Sequence, residues 1–546
     1  MKKICANPVD YFDTVNDMIE NIPNGIENEP AISWFTRKGE EKGVSYGKLR
    51  EDVRSLKAVM MKKELQGKHI AILGENSYEW LLVYFAATCS GAVAVCVDVE
   101  QSNETIIQML EMTDVDCLFF TPSLDSICLP FADKGMDVFR FSGKGIVPTV
   151  AELLEEGAEL IRSGMNCESK SGPDDTATIV FTSGTTSYSK PVMLSHRAIL
   201  TNAADAAARV ALGRVTFSSL PFYHTYGMTC SVIGALLEKC HVYINGNLKT
   251  VMRDMQAASA HSLFTVPLML ETIHKKMWAA AAENKMDSGL RKLLKLNKIK
   301  ISLGMTNMGK KTDEIREKCF GSVRLIICGA AHLSKEIMED LTCLGILVLQ
   351  GYGITECSPL VSVNCNKANR FSSVGLVMPN CEISFRDEEI LVRGANVMQG
   401  YYKLDELTEE AFVDGWFATG DLGYQDKDGF IYITGRKKNL IVFKNGKKMS
   451  PEKLEEKLGK IPMIKDVVVY GAVSGNSSDD VQVAISVFPN AEKTEGMSRY
   501  EILDALQNEI NTINSELPLY QQIQMVNIRE SEFSKTALQK IKRHLV

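Results

Sequence analysis

The chain has 546 residues, too many for one core, so two or more domains are expected. Apolar residues (45%) and charged residues (24%) stand in the balance of a soluble globular protein, and a net charge of −7 argues against a nucleic-acid binder. The 14 cysteines include no Cys-x-x-Cys pair and no metal spacing, which points to reduced thiols and a cytoplasmic setting. Met1-Lys2-Lys3 is followed at once by Asn7, Pro8 and Asp10 rather than an apolar run, so no signal peptide is expected. Residues 45–98 alternate between helix and strand patterns. A helix is expected near Tyr46 to Lys63, a strand at His69 to Leu73, a helix at Tyr78 to Cys89 and a strand from Ala92 to Val99. The longest apolar run, Leu81 to Val97, contains Thr88, Ser90 and Gly91, so it is read as helix, glycine stop and buried strand, not as a membrane span.

Strands recur at Cys117 to Phe120, Thr176 to Phe181, His241 to Ile244, Leu325 to Cys328 and Ile346 to Leu349, with helical patterns between them. This alternation predicts layered α/β structure with largely parallel sheets. From about residue 383 short strands dominate, among them Glu389 to Val392 and Ile431 to Thr434, punctuated by glycines. A domain boundary is placed at Gly435, giving domains 1–435 and 436–546. The second carries 17 basic and 14 acidic residues and the first 44 and 54, or +3 against −10, an asymmetry that suits an anionic ligand.

The strand Thr176 to Phe181 runs into Thr182, Ser183, Gly184, Thr185, Thr186, Ser187, Ser189 and Lys190. Hydroxyls donate to phosphate oxygens, glycine lets backbone N–H groups face them, and lysine supplies charge. A phosphate cradle on a strand-to-helix turn is expected, without the Gly-x-x-x-x-Gly-Lys spacing of the P-loop. Other stretches are weaker alone. His224 sits among aromatics in Leu220 to Gly227, where a packed histidine is the commoner outcome. Glu356, in Gly351-Tyr352-Gly353-Ile354-Thr355-Glu356, suits a hard cation on a nucleotide. Asp421 lies between Gly420 and Gly423 and suits a ribose diol, although most such aspartates only cap turns. Lys540 near the terminus has the ordinary fate of a solvated lysine.

In this order these stretches resemble the adenylate-forming superfamily of acyl-CoA synthetases, peptide-synthetase adenylation domains and luciferases. Gln350 to Val361 and Gly435-Arg436-Lys437-Lys438-Asn439-Leu440-Ile441 are most similar to bacterial medium- and long-chain fatty acid CoA ligases. The resemblance runs from about residue 40 to the C-terminus. It implies a large N-terminal domain of layered α/β sheets with a small β-barrel-like subdomain, and a small mobile α+β C-terminal domain. It also implies ATP, Mg²⁺ and CoA as ligands and a two-step reaction, carboxylate to acyl-AMP and then to thioester.

By the same resemblance, Thr182, Ser183, Gly184, Thr185, Thr186 and Lys190 hold the ATP phosphates. Gly329, Ala330, Ala331 and Tyr352 frame the adenine, Thr355 contacts the α-phosphate, Glu356 binds Mg²⁺, and Asp421 and Arg436 grip the ribose. Lys540 serves the adenylation step, Lys438 is the hinge, Gly446 lies beside the pantetheine, and His224 turns to open the thiol tunnel. Residues 436–451 hold six basic residues and no acid, which suits the CoA phosphates. The chain departs from the family pattern at Ser187, Ser189, Pro191 and Gln539.

Thr225 stands where amino-acid-activating relatives carry Asp. Met228, Val232, Ile233, Leu236 and Leu237 follow at near-helical spacing, so an apolar acid, a fatty acid above all, is favoured. The acceptor is CoA or an acyl carrier protein, and a non-catalytic acyl- or nucleotide-binding protein is the other reading. No strongly basic amphipathic helix stands out, so at most peripheral membrane association is expected. A homodimer is left open.

Overall fold

The computed structural model describes residues 7–182, 189–247, 249–329, 333–444, 446–473, 481–535 and 541–546, with the side chain of His544 excepted. They fall into two compact units. The larger draws on residues up to 182, 189–382 and 392–417, and the smaller on 383–391 and 418–546.

Two sheets build the larger unit. One has seven strands, in the order Gly400–Tyr401, Pro191–Ser195, Thr176–Phe181, Val93–Val97, His69–Leu73, Cys117–Phe120 and Asp137–Arg140. The other has nine, with Leu347–Gly353, Leu325–Cys328, Ser262–Thr265, Val215–Ser218 and His241–Ile244 at its centre. Central pairings are parallel and the outer ones antiparallel, except at the Asp137–Arg140 edge, which pairs parallel with Cys117–Phe120. The expected α/β layering is therefore present. Strands such as Val93–Val97 and Cys117–Phe120 are buried along their whole length, which is why they read as continuous apolar runs.

The helix Tyr46–Lys62 starts where the Ser45 hydroxyl accepts from the Lys48 N–H. Helix Val150–Arg162 lies on it so closely that a Cβ on Gly157 would come within 1.9 Å of the Ser55 carbonyl oxygen. Helix Tyr78–Ser90 is buried almost all round and stops at Gly91, in the left-handed region at φ 85°, as its sequence indicates. Among the described residues no helix is long and apolar enough to cross a membrane. The 13 described cysteines are all free thiols.

Two expectations change. The hydroxyl-rich loop does not lead from strand to helix. It joins antiparallel strands, Thr176–Phe181 and Pro191–Ser195, and the helix His196–Arg209 begins only after the second. The strand at 346–349 also runs further, to Gly353, because Gly351 and Tyr352 pair with Val363 and Ser362.

Residues 381–436 supply the strands of a smaller five-stranded sheet. Beyond it, Ile464–Val473 pairs antiparallel with Val481–Pro489, which pairs parallel with Ile523–Ile528. The parallel crossover is made by helix Arg499–Ser515, whose Ile502, Leu506 and Ile510 are buried with Val469, Val483 and Ile485.

Candidate functional site

In parallel sheets ligands collect where strands end and helix N-termini and loops converge. Thr182 directly follows Phe181, Gly329 follows Cys328, and Tyr352 and Gly353 end their strand, so these residues leave the carboxyl ends of strands.

The mouth of the hydroxyl-rich loop is closed by two hydrogen bonds. The Thr182 N–H donates to the Lys190 carbonyl at 3.0 Å, and the Lys190 N–H donates to the Thr182 hydroxyl at 3.2 Å. Ser183, Gly184, Thr185, Thr186 and Ser187 lie outside the described residues. Pro191 opens the returning strand opposite Phe181, a position where proline is tolerated, and its carbonyl accepts from the Tyr402 N–H at 2.8 Å.

Glu356 sits in the tight turn Thr355–Cys357. The turn folds back on its own strand: the Ile354 N–H donates to the Pro359 carbonyl at 2.9 Å, and a Cβ on Gly353 would lie 2.5 Å from that oxygen. Buried Asn202 holds both backbone groups of Leu360, donating to its carbonyl at 2.7 Å and accepting from its N–H at 3.0 Å. Buried Asn396 donates to the Cys357 carbonyl at 3.2 Å.

Tyr401 joins the loop to the turn. Its hydroxyl donates to Glu356 Oε1 at 2.9 Å, and Lys190 Nζ lies over its ring, 4.5 Å from the centroid. The Tyr401 hydroxyl is pushed well above the ordinary phenol range by burial and by the Glu356 carboxylate, so it stays a donor. A cation and a carboxylate are thus held on the two ends of one buried side chain. A ring–cation contact of this kind contributes on the order of 1 kcal/mol.

His224 is buried, 4.9 Å from the Tyr223 ring, and its carbonyl accepts from the Met228 N–H at 3.1 Å. The π-helical turn Tyr226–Ile233 and the short helix Gly234–Leu237 follow, so Met228, Val232, Ile233, Leu236 and Leu237 are all buried. Tyr226 donates to the Ile327 carbonyl at 3.0 Å, and its ring packs 3.1 Å from where a Cβ on Gly329 would stand. Tyr352 is buried and pairs across the strands with Ser362, while Ala330 and Ala331 lie outside the described residues.

In the smaller unit Asp421 and Arg436 lie opposite each other on adjacent strands, with Arg436 Nε 2.8 Å from Asp421 Oδ1. Next to them Lys437 Nζ meets Glu389 at 2.7 Å, and Glu389 also accepts from the Gly420 N–H at 3.1 Å. Lys438 is in the turn Lys437–Asn439, immediately after this pair of strands. Gly446 sits at φ 75° in an exposed hairpin closed by the Phe443 N–H donating to the Lys447 carbonyl at 2.9 Å, and Lys444, Lys447 and Lys448 are exposed around it. Lys540 lies outside the described residues. Lys535 pairs with Ile541 across a bridge and with both oxygens of Asp466 at 2.9 Å, while Arg543 forms an ion pair with Glu455.

Residues 21–402 match the profile described as AMP-binding enzyme, and residues 438–546 match that of the AMP-binding enzyme C-terminal domain. The chain belongs to the AMP-binding enzyme family. The long-chain-fatty-acid–CoA ligase FadD15 of Mycobacterium bovis is 27% identical over 437 residues, covering 74% of this chain and 71% of its own. Long chain acyl-CoA synthetase 7, peroxisomal, of Arabidopsis thaliana is 27% identical over 521 residues, covering 86% and 73%. Among solved structures, ATP-bound MatB from Rhodopseudomonas palustris superposes with a TM-score of 0.75 at 21% identity, covering 97% of this chain and 98% of that one. MenE from Bacillus subtilis with ATP and magnesium ion gives 0.73 at 20%, covering 96% and 98%. These two establish the fold.

Sequence reading missed Tyr401, Asn202 and Asn396, which hold Glu356 and its turn in the larger unit, and Glu389, which accepts from the Gly420 N–H in the smaller. Tyr401 lies in Gln399-Gly400-Tyr401-Tyr402, whose glycine and paired tyrosines were the only signal. The asparagines carry none, because their role is set by backbone groups about 160 and 40 positions away.

Proposed function

We propose that this AMP-binding enzyme activates a fatty acid with ATP to acyl-AMP and pyrophosphate, and then passes the acyl group to the thiol of CoA, releasing AMP. The observation that carries this reading is the Lys190–Tyr401–Glu356 array, a cation and a carboxylate fixed beside a hydroxyl-rich loop. Both steps displace a stable leaving group from an electrophile, so positioning and charge neutralisation set the rate and no covalent enzyme nucleophile is required.

In this reading Lys190, with Thr182, Ser183, Gly184, Thr185 and Thr186, binds the ATP phosphates. Thr355 donates to the α-phosphate, Gly329, Ala330, Ala331 and Tyr352 receive the adenine, and Asp421 and Arg436 receive the ribose. Glu356 fits Mg²⁺, because it is a hard oxygen donor of which one oxygen is committed to Tyr401. Bound there with ATP, Mg²⁺ supplies neutralisation of phosphate charge. Lys540 adds positive charge at the α-phosphate, Lys438 is the pivot, His224 borders the acyl and thiol path, and the hairpin around Gly446 takes the CoA phosphates. The larger AMP- and acyl-binding domain is placed at 1–435 and the mobile lid at 436–546.

Pyrophosphate release measured over a fatty acid panel from short to long chains, with CoA, with carrier proteins and with neither, tests this directly. Release without CoA, followed by thioester formation with it, is expected. Lys540→Ala is expected to lower release by about 10²-fold or more. ATP binding without release across the whole panel would overturn the reading in favour of a binding protein.

A further inference from the structure

Helix Asp287–Ser302 carries a second apolar stripe that the fold leaves uncovered. Its inner stripe, Leu290, Leu294 and Asn297, is buried. Leu296, Ile299 and Leu303, spaced three and four residues apart, fall on the other side of the helix and are 50%, 58% and 72% exposed. Met286 just before the helix and Met305 just after it are 62% and 48% exposed. A row of this kind marks an interaction surface rather than a scatter of surface residues.

The charge around the row is one-sided. Residues 285–311 contain eight basic side chains and one acid, Asp287, which is +7 in a chain of −7 overall. Lys292 and Lys295 lie exposed beside the apolar row. Some of the basic side chains also serve the fold: Lys298 meets Glu339 at 2.8 Å, Lys300 donates to the Met308 carbonyl at 3.0 Å, and the Arg291 guanidinium lies 4.8 Å over the Trp278 ring. In the sequence no strongly basic amphipathic helix stands out, and at most peripheral membrane association is expected. The helix escapes notice because its two apolar stripes blur the polar face.

We propose that this face docks on an anionic lipid bilayer, with Leu296, Ile299 and Leu303 entering the headgroup–acyl boundary and the lysines spread at the phosphates. Apolar side chains framed by long basic ones are what such a boundary solvates well. A symmetric contact with a second copy would set +7 against +7, so charge selects the lipid. The remainder of the chain is at −14, so this segment concentrates basic charge that the chain as a whole does not carry.

Vesicle flotation of the full-length protein, with neither ATP nor acid present, tests docking independently of the ligase reading. Flotation is expected with phosphatidylcholine vesicles containing phosphatidylglycerol and not with phosphatidylcholine alone, and it should weaken as salt rises. Lys292→Glu/Lys295→Glu is expected to weaken binding about tenfold or more. Ile299→Ser/Leu303→Ser should weaken it at every salt concentration, with the melting curve and pyrophosphate release from a short, soluble acid unchanged. Wild-type protein that stays with the lipid-free fraction would overturn the proposal. So would double variants that float like wild type, or a dimer that the serine variant dissolves while no vesicle binding is seen.

Discussion

Tyr401 contributes two separable interactions, and they predict different defects. Tyr401→Phe keeps the ring under Lys190 and removes only the bond to Glu356 Oε1. A hydrogen bond to a charged group contributes about 1.5–3 kcal/mol, so the Mg²⁺ concentration giving half-maximal pyrophosphate release is expected to rise roughly tenfold or more. KM for the acid should hold, which a Mg²⁺ titration at fixed ATP will read. Tyr401→Leu removes the ring as well and should raise KM for ATP in addition. His196 is a different case, because its effect is on folding. Its Nδ1 accepts from the Val15 N–H at 3.2 Å, and burial pushes its pKa down to about 4 from 6.5. The unfolded chain takes up this proton first on acidification. Stability is therefore complete above pH 6.5 and is lost as pH falls toward 4, by on the order of 2–3 kcal/mol. Denaturant midpoints across this range should slope in the wild type and flatten in His196→Gln.

Between elements, close approach decides more than composition does. Gly157 lets helix Val150–Arg162 rest on the backbone of helix Tyr46–Lys62 at Ser55. Any larger side chain must push the two helices apart, and Gly157→Leu is expected to cost about 3 kcal/mol, seen as a lower denaturant midpoint. The turn at Glu356 depends on the same kind of economy. Gly353 clears the Pro359 carbonyl, while Asn202 and Asn396 anchor the neighbouring backbone. The residues around Thr355 drew attention to Glu356, but the anchors of its turn come from elsewhere in the chain. Likewise the hydroxyl-rich loop was legible as a loop from its residue types. That it closes a hairpin was not, because Pro191–Ser195 is strand only through pairing with Thr176–Phe181.

For the molecule as a whole, charge is distributed unevenly. The segment 436–546 is +3 against −10 for the remainder, and six basic residues with no acid run from 436 to 451. The exposed hairpin around Gly446 displays three of them, Lys444, Lys447 and Lys448. Lys444→Gln/Lys448→Gln is expected to raise KM for CoA roughly 3- to 10-fold while KM for ATP holds, with the difference shrinking at high salt. Initial-rate measurements at two ionic strengths check both parts.

The sequence alone determined the α/β layering, most central strands, the glycine stop after Ser90 and the order of the family's motifs. Each of these rests on side-chain periodicity or on a residue type whose backbone freedom acts within a few positions. Only the tertiary structure decided that Tyr401 bridges Lys190 and Glu356, that Asp421 faces Arg436, and which of two apolar stripes on helix Asp287–Ser302 is covered. Those outcomes depend on which surfaces meet across long separations in the chain, and local periodicity marks an apolar face without naming what packs against it.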